Sequence, residues 1–227
     1  MWRWGVEEVV SGGHFKVVND KTRYDTSDLP ENQFEPGSDG AVLRNLRGIT
    51  SRHEMELAET RELLRATEEA LDTYSLEHRF TAADICALHQ NWLGSIYGWA
   101  GRYRQVMMSK GGFPFAAPVH IPSLMAEYER TALMRFTPCQ FADQQQIALA
   151  LATVHAELVL IHPFREGNGR LARLLSTLMG LQAGLPILRF SLMDEQRERY
   201  FAAVQAGLDL NYEPMRSLFA EIIERCA

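Results

Sequence analysis

The chain has 227 residues, of which 46% are hydrophobic, so it can bury one sizeable core or a core with a small lobe. Its formal net charge of −6 argues against nucleic-acid binding by the chain itself. The three cysteines, Cys86, Cys139 and Cys226, lack metal-ligand spacing and are expected to be reduced thiols in a cytoplasm. We expect no membrane span and no general secretion signal, although a dedicated secretion system would leave no trace in these patterns.

Residues 1–40 differ in composition from the rest of the chain. They are rich in Gly, Asp, Ser and Pro, and the short apolar run Phe15-Lys-Val-Val18 is typical of a brief strand. The sequence therefore predicts a loop-rich N-terminal extension over 1–40, followed by a domain over 41–227.

Helices are predicted along most of the remaining chain. A helix over about 50–74 can be capped by Thr50 or Ser51, and Thr81-Ala-Ala-Asp84 is a capping box that begins a second helix. Pro122 or Ser123 begins a third helix, and two more are predicted over 193–207 and 214–226.

The stretch 104–122 interrupts these helices. Gly111 and Gly112, with prolines nearby and short apolar runs on both sides, predict a β-hairpin. The edge of a hairpin can hold an extended peptide through main-chain hydrogen bonds. Lys110 is equally consistent with a charge near a bound anion and with a solvated lysine, and Phe113 and Phe115 are expected to be packing residues.

The most informative run is His-Pro-Phe-Arg-Glu-Gly-Asn-Gly-Arg at 162–170. An apolar stripe of helical period precedes it over 143–161, and a second stripe follows it up to Gly184. Pro163 disfavours helix at His162, so the run is predicted to be the turn between two helices.

This turn has the composition of an anion site. Glycines at a helix start let backbone N–H groups approach a phosphate, and Arg170 and Arg173 share one helix face. One guanidinium group can bind two phosphate oxygens at once, and a carboxylate such as that of Glu166 is a suitable ligand for Mg²⁺. His162 titrates near neutrality and is the natural general base, whereas Phe164 is expected to point into the core.

The run resembles the signature of the Fic (filamentation induced by cAMP) or Fido family, His-x-Phe-x-Asp/Glu-Gly-Asn-Gly-Arg-x-x-Arg, at every fixed position. The similarity extends from about Phe34 to the end of the chain, with a domain core at about 78–222. It implies an all-α fold, a Fic-type helical bundle with a short β-hairpin flap over the active site. The implied activity is that of a protein adenylyltransferase, a nucleotidyltransferase that moves AMP from ATP to a Ser, Thr or Tyr hydroxyl of a target protein.

The resemblance also implies roles for individual residues. His162 would deprotonate the target hydroxyl, Glu166 would hold Mg²⁺, and the target would dock at the flap over 104–122. The residues implied to contact the nucleotide are Phe164, Glu166, Gly167, Asn168, Gly169, Arg170 and Arg173 of the motif, with Lys110 and Gly111 of the flap.

Family members are often inhibited by a glutamate that pairs with the second motif arginine, here Arg173. Ser27-Asp-Leu-Pro-Glu31-Asn32 matches the inhibitory pattern Ser/Thr-x-x-x-Glu-Gly/Asn but contains Pro30, and Thr50-Ser-Arg-His-Glu54 matches all but its last position. The resemblance of 43–59 to members with a separate antitoxin favours a small antitoxin as partner, as in a toxin–antitoxin pair, with inhibition by Glu31 or Glu54 as the alternative.

Other interpretations of these residues are disfavoured. His155 precedes His162 by seven residues, which is not the spacing of a zinc helix, so it is expected to be a packing histidine. The intact Gly-Asn-Gly disfavours a relative that transfers another phosphate-containing group, since the kinase-like Doc branch departs there. Retention of every motif residue disfavours an inactive Fic-fold binding module, whereas an autoinhibited protein stays open as an alternative.

Overall fold

The computed structural model describes Thr26 and residues 28–226. Within them, nine α-helices and one two-stranded hairpin account for the regular structure, apart from short 3₁₀ and π turns. The elements are α1 Arg52–Thr73, α2 Ala82–Leu93, β1 Ser109–Lys110, β2 Phe113–Pro114, α3 Ile121–Tyr128, α4 Met134–Phe136, α5 Gln144–Ile161, α6 Asn168–Gln182, α7 Ser191–Glu195, α8 Arg197–Ala206 and α9 Glu213–Cys226. The predicted helical fold with one hairpin is confirmed.

Helix α5 is the centre of the core. It packs against α6, α8 and α9 and also contacts α3. Leu151, Val154 and Leu158 in it are fully buried. By length and composition alone α5, with 18 residues, is apolar enough to cross a membrane. Two thirds of that window (67%) is buried inside the fold, which identifies α5 as a core helix.

The helix starts follow their local capping signals. Ser51 accepts a hydrogen bond from the N–H of Glu54 at the start of α1, and Asp143 accepts one from Gln145 at the start of α5. The predicted capping box is present in full, since Thr81 and Asp84 each bind the other's backbone N–H. The helix predicted over 193–207 is wrong in one respect, because the chain breaks at Gln196 (φ −112°, ψ 50°) into α7 and α8.

The predicted hairpin is also present. Ser109 pairs with Pro114 and Lys110 pairs with Phe113 in an antiparallel ladder. The two residues between the strands, Gly111 (φ 57°) and Gly112 (φ 80°), both have positive φ. A two-residue turn of this kind matches the twist of a hairpin and strongly favours glycine at both places. We call the segment 104–122 that contains this hairpin the flap.

The described part of the N-terminal extension packs against the domain. It forms a 3₁₀ turn at Pro30–Asn32 and an isolated bridge between Phe34 and Leu43. Leu46 then donates its N–H to the carbonyl of Ile96 at 2.8 Å. The strand predicted at 15–18 lies outside the described residues, as does Ser27.

Candidate active site

The loop between α5 and α6 is held in shape by its own residues. His162 ends α5 in the left-handed conformation (φ 52°, ψ 57°), and Gly167 begins α6 with φ 84°. A Cβ at Gly167 would lie 2.7 Å from the Trp92 ring, so only glycine fits here. The Asn168 amide accepts from the N–H of Phe164 at 2.9 Å and donates to its carbonyl at 2.7 Å.

Asn168 therefore contributes to the site differently from its neighbours. Its side chain is buried and committed to the loop backbone, so it is not available to a ligand. The backbone N–H groups of Asn168, Gly169 and Arg170 belong to the first turn of α6, where a helix offers donors without partners inside the helix. The groups at this end of α6 that could bind an anion are thus main-chain N–H groups, which we call the anion cradle.

His162 has one defined tautomer. Its Nδ1 lies 3.1 Å from the carbonyl of Val159, which only an N–H can satisfy, so the lone pair of the neutral ring is on Nε2. The Phe115 ring stacks on the imidazole with centroids 3.6 Å apart and planes at 11°. Burial lowers the pKa of His162 to about 4, with Arg104 and Lys110 acting in the same direction. The imidazole is therefore neutral at pH 7.

The first motif arginine is held by a buried carboxylate that the sequence did not indicate. Arg170 donates to Glu59 of α1 at 2.7 Å and lies over the Trp92 ring at 4.8 Å. Glu59 is 5% exposed and also accepts from the Tyr97 hydroxyl at 2.7 Å. A weaker contact of 3.3 Å joins Arg170 to Glu166. Glu59 fixes the direction of the guanidinium.

The second motif arginine has an exposed partner. Both terminal nitrogens of Arg173 bind the Asp194 carboxylate in α7, at 3.0 and 2.7 Å. The pKa of Asp194 is lowered by this hydrogen bond to Arg173. Because the Asp194 side chain is 60% exposed, an anion from solvent can replace it.

Neither glutamate of the predicted inhibitory patterns pairs with Arg173. Glu31 is buried, and its carboxylate accepts the N–H of Gln105 at 2.5 Å. The carbonyl of Glu31 accepts from Arg165 at 2.9 Å. Glu54 is exposed in the first turn of α1. In the conformation described, the carboxylate on the Arg173 guanidinium is therefore that of Asp194 and not that of Glu31 or Glu54.

Arg104 is a buried residue to which the sequence analysis gave no role. Its guanidinium donates to three carbonyls, those of His162 at 2.7 Å, Val106 at 2.5 Å and Ala116 at 2.6 Å. Its own N–H donates to the carbonyl of Pro163 at 2.9 Å. Arg104 thus ties both ends of the hairpin to the motif loop.

His89 supports the loop from the other side. It accepts from the N–H of Gly101 at 2.8 Å and lies 3.0 Å from the carbonyl of Glu166, so Nε2 carries the proton. Its ring stacks on Phe164 at 3.9 Å, and burial lowers its pKa to about 4. Phe164 is fully buried, as expected, and its side chain does not line the cavity, so it supports the loop instead of contacting a ligand.

These parts surround a cavity of about 810 Å³, of a size suited to a nucleotide. His162, Glu166 and the arginines form one wall, while Lys110 and Gly111 of the flap form another. The Lys110 ammonium lies 4.8 Å from the ring of Phe201 in α8, which also lines the cavity. The cavity is lined further by Met193, Asp194, Arg197, Tyr200, Val204 and Gln205.

Within the part of the chain that is described, no group of three His, Cys, Asp or Glu side chains gathers as a protein-only metal cage. Glu166 is a single carboxylate, 43% exposed, beside the anion cradle. That arrangement fits Mg²⁺, which binds through one or two carboxylates together with waters and substrate phosphates.

Comparison with known proteins gives one family. Residues 79–179 match the Fic/DOC family. The chain is 29% identical to the protein adenylyltransferase VbhT of Bartonella schoenbuchensis over 166 residues, which is 73% of this chain and 33% of VbhT. It is also 29% identical to the probable protein adenylyltransferase y4lH of Sinorhizobium fredii over 143 residues, 63% of this chain and 72% of that protein. The chain spans about a third of the length of VbhT.

Solved structures agree with the sequence comparison. The N-terminal Fic domain of a putative cell filamentation protein from Bartonella quintana, with bound ADP, superposes with a TM-score of 0.67 at 26% identity. The superposition covers 86% of this chain and 95% of that domain. Residues 79–179 of the chain therefore form a domain of the Fic/DOC family.

Proposed function

We propose that the protein is an adenylyltransferase that moves AMP from ATP to a Ser, Thr or Tyr hydroxyl of a target protein. One observation carries this proposal. The bond from Nδ1 of His162 to Val159 leaves Nε2 as a base, and His162 lines the same cavity as the N-terminus of α6 and both motif arginines. A neutral base beside an anion cradle is the arrangement that in-line attack on a phosphate requires.

The reaction follows from these positions. The target hydroxyl oxygen attacks the α-phosphorus of ATP while its proton passes to Nε2 of His162. The bond between the α-phosphorus and the oxygen that bridges to the β-phosphate breaks, and pyrophosphate leaves. The N–H groups of Gly169 and Arg170 at the helix start bind the α- and β-phosphate oxygens.

The two arginines have different tasks in this mechanism. Arg170 is held by the buried Glu59 and presents a fixed positive charge to the phosphates. Arg173 exchanges Asp194 for the terminal phosphates when ATP binds. Mg²⁺ would be held by Glu166, and it would neutralise phosphate charge.

The flap is the proposed docking place of the target. Its hairpin strands are largely exposed and short, so an extended segment can add to their edge by main-chain hydrogen bonds. Phe115 covers the imidazole of His162, so the incoming hydroxyl must displace this ring or pass its rim. Docking and access to the base are therefore linked.

The relatives support this function. VbhT and y4lH are named adenylyltransferases, and the Bartonella quintana domain was solved with ADP. A small antitoxin is the regulator that we favour, and any carboxylate it brought to Arg173 would have to displace Asp194. We place the reaction in the bacterial cytoplasm, in keeping with three free cysteines.

The test is label transfer. The protein is incubated with a bacterial lysate and Mg²⁺, and with ATP labelled at either the α- or the γ-phosphate. We expect α-label to become covalently attached to protein, and His162→Ala to abolish it. The matched control is His53→Ala, which removes an exposed histidine in the first turn of α1. Transfer of γ-label would show a kinase, and transfer of neither, with ADP still bound, would show a binding module.

A further inference from the structure

A buried chain of hydrogen bonds runs beneath the cavity wall that α8 forms. His155 of α5 is fully buried. Its Nε2 lies 2.9 Å from the Tyr200 hydroxyl of α8, and its Nδ1 lies 3.2 Å from the Ser176 hydroxyl of α6. Ser176 in turn donates to the carbonyl of Ala172 at 2.8 Å. The mechanism above does not use this histidine.

The protons of this chain have one consistent assignment. The Ser176 hydrogen is used on Ala172, so the Ser176 oxygen must accept from Nδ1–H of His155. Nε2 then carries the lone pair and accepts the Tyr200 hydroxyl hydrogen. Burial lowers the pKa of His155 to about 3, which keeps the ring neutral and the assignment unchanged near pH 7. The side-chain polar atoms of His155, Ser176 and Tyr200 therefore all have partners.

Both ends of this series of hydrogen bonds lie at the candidate active site. Tyr200 and its neighbour Phe201 line the cavity, and Phe201 is the ring beneath the Lys110 ammonium. Ala172 directly precedes Arg173 on the motif helix. The main packing partners of α8 are α5, α7 and α9, so the bonds through His155 join it to α6.

We propose that His155 is a positioning residue that sets the distance between the α8 wall and the motif helix, and thereby the affinity for nucleotide. A packing role alone would be met by an apolar side chain, which would need no partner. Here three directional hydrogen bonds run in series from Tyr200 through His155 and Ser176 to the Ala172 carbonyl. They fix the rotation of α8 about its axis as well as its distance from the motif helix. The inference deepens the proposed function, because the ligand it concerns is the nucleotide of that site.

The decisive variant is Tyr200→Phe, which removes one hydroxyl and leaves the ring in place. Its matched control is Tyr128→Phe, since the Tyr128 hydroxyl is equally buried and donates to the carbonyl of Val154 at 3.0 Å, away from the cavity. Both variants lose one buried hydrogen bond. ADP binding is compared at a temperature at which the melting curves show both variants fully folded, so stability does not account for a difference in binding.

Two measurements separate them. Hydrogen exchange of the ligand-free protein is expected to accelerate over 197–206 in Tyr200→Phe and not in Tyr128→Phe. The dissociation constant for ADP is expected to rise about fivefold in Tyr200→Phe, which is the free energy of one hydrogen bond, about 1 kcal/mol, passed on in full to binding. In the control it is expected to change less than twofold. His155→Gln, which keeps a polar end, is expected to bind ADP better than His155→Leu.

Equal exchange over 197–206 and equal ADP affinity in the two tyrosine variants would overturn the proposal. Its failure is distinguishable from failure of the proposed function. Label transfer decides whether the protein adenylylates, whereas ligand-free hydrogen exchange decides whether His155 positions α8, with or without catalysis.

Discussion

Arg104→Met is the change that most directly tests how the flap is attached to the motif loop. The methionine keeps much of the apolar stem and removes three hydrogen bonds to the carbonyls of His162, Val106 and Ala116. Bonds from a charged donor contribute about 1.5 kcal/mol or more each, so the three amount to about 4.5 kcal/mol. Relief of the buried charge offsets part of this, and we expect a net loss of about 3 kcal/mol.

For a chain of this size such a loss lowers the melting temperature by about 6–12 °C. Thermal unfolding followed by circular dichroism measures it, and hydrogen exchange over 105–116 shows whether the flap loosens first. The control is Arg102→Met, two residues away and exposed, which loses one bond to Gly98 and should change stability by less than about 0.5 kcal/mol. Arg104→Lys should be intermediate, because an ammonium cannot reach three carbonyls as a planar guanidinium does.

The reasoning is refuted if Arg104→Met and Arg102→Met melt within about 2 °C of each other, a difference expected from less than about 1 kcal/mol. It is equally refuted if exchange over 105–116 is unchanged while the rest of the fold loosens. The first result would mean that the three carbonyls find other partners. The second would mean that Arg104 supports the core and not the flap.

Three further predictions concern the motif and the buried histidines. Phe115→Leu uncovers the imidazole of His162, so its pKa should rise from about 4 toward 6.5, as an NMR titration would measure. Gly167→Ala should destabilise the fold by about 1–3 kcal/mol in chemical unfolding, because φ is 84° and the new Cβ meets Trp92; no loss would contradict the clash. Three buried histidines have pKa values lowered to about 3 or 4, so the unfolded chain binds more protons below pH 6.5. The free energy of unfolding should therefore be fully present above pH 6.5 and fall toward pH 4; a flat profile would contradict these values.

The predictable parts of this protein are those set by neighbours in the sequence. The capping box at Thr81, the end of α5 before Pro163 and the turn at Gly111 and Gly112 each depend on a few adjacent residues, and all are present. The break at Gln196 was missed because neither proline nor glycine marks it.

The partners of the motif arginines were not predictable in this way. Glu59 is 111 residues from Arg170, and they meet because α1 packs on α2, which in turn contacts the motif helix. Asp194 reaches Arg173 because the chain turns back after α6. Charged residues are spread along the sequence, and the sequence does not show which of them are buried together. For the same reason Arg104 was given no role, although it begins the predicted segment 104–122.

The contacts of Glu31 have a consequence for dividing the protein into fragments. Its carboxylate holds the N–H of Gln105, and its carbonyl holds Arg165. A fragment that starts at residue 41, where composition alone would place the domain edge, would leave both donors without these acceptors. A stable fragment should therefore begin before Glu31. The 3₁₀ turn that contains Glu31 contacts both the flap, at Gln105, and the motif loop, at Arg165.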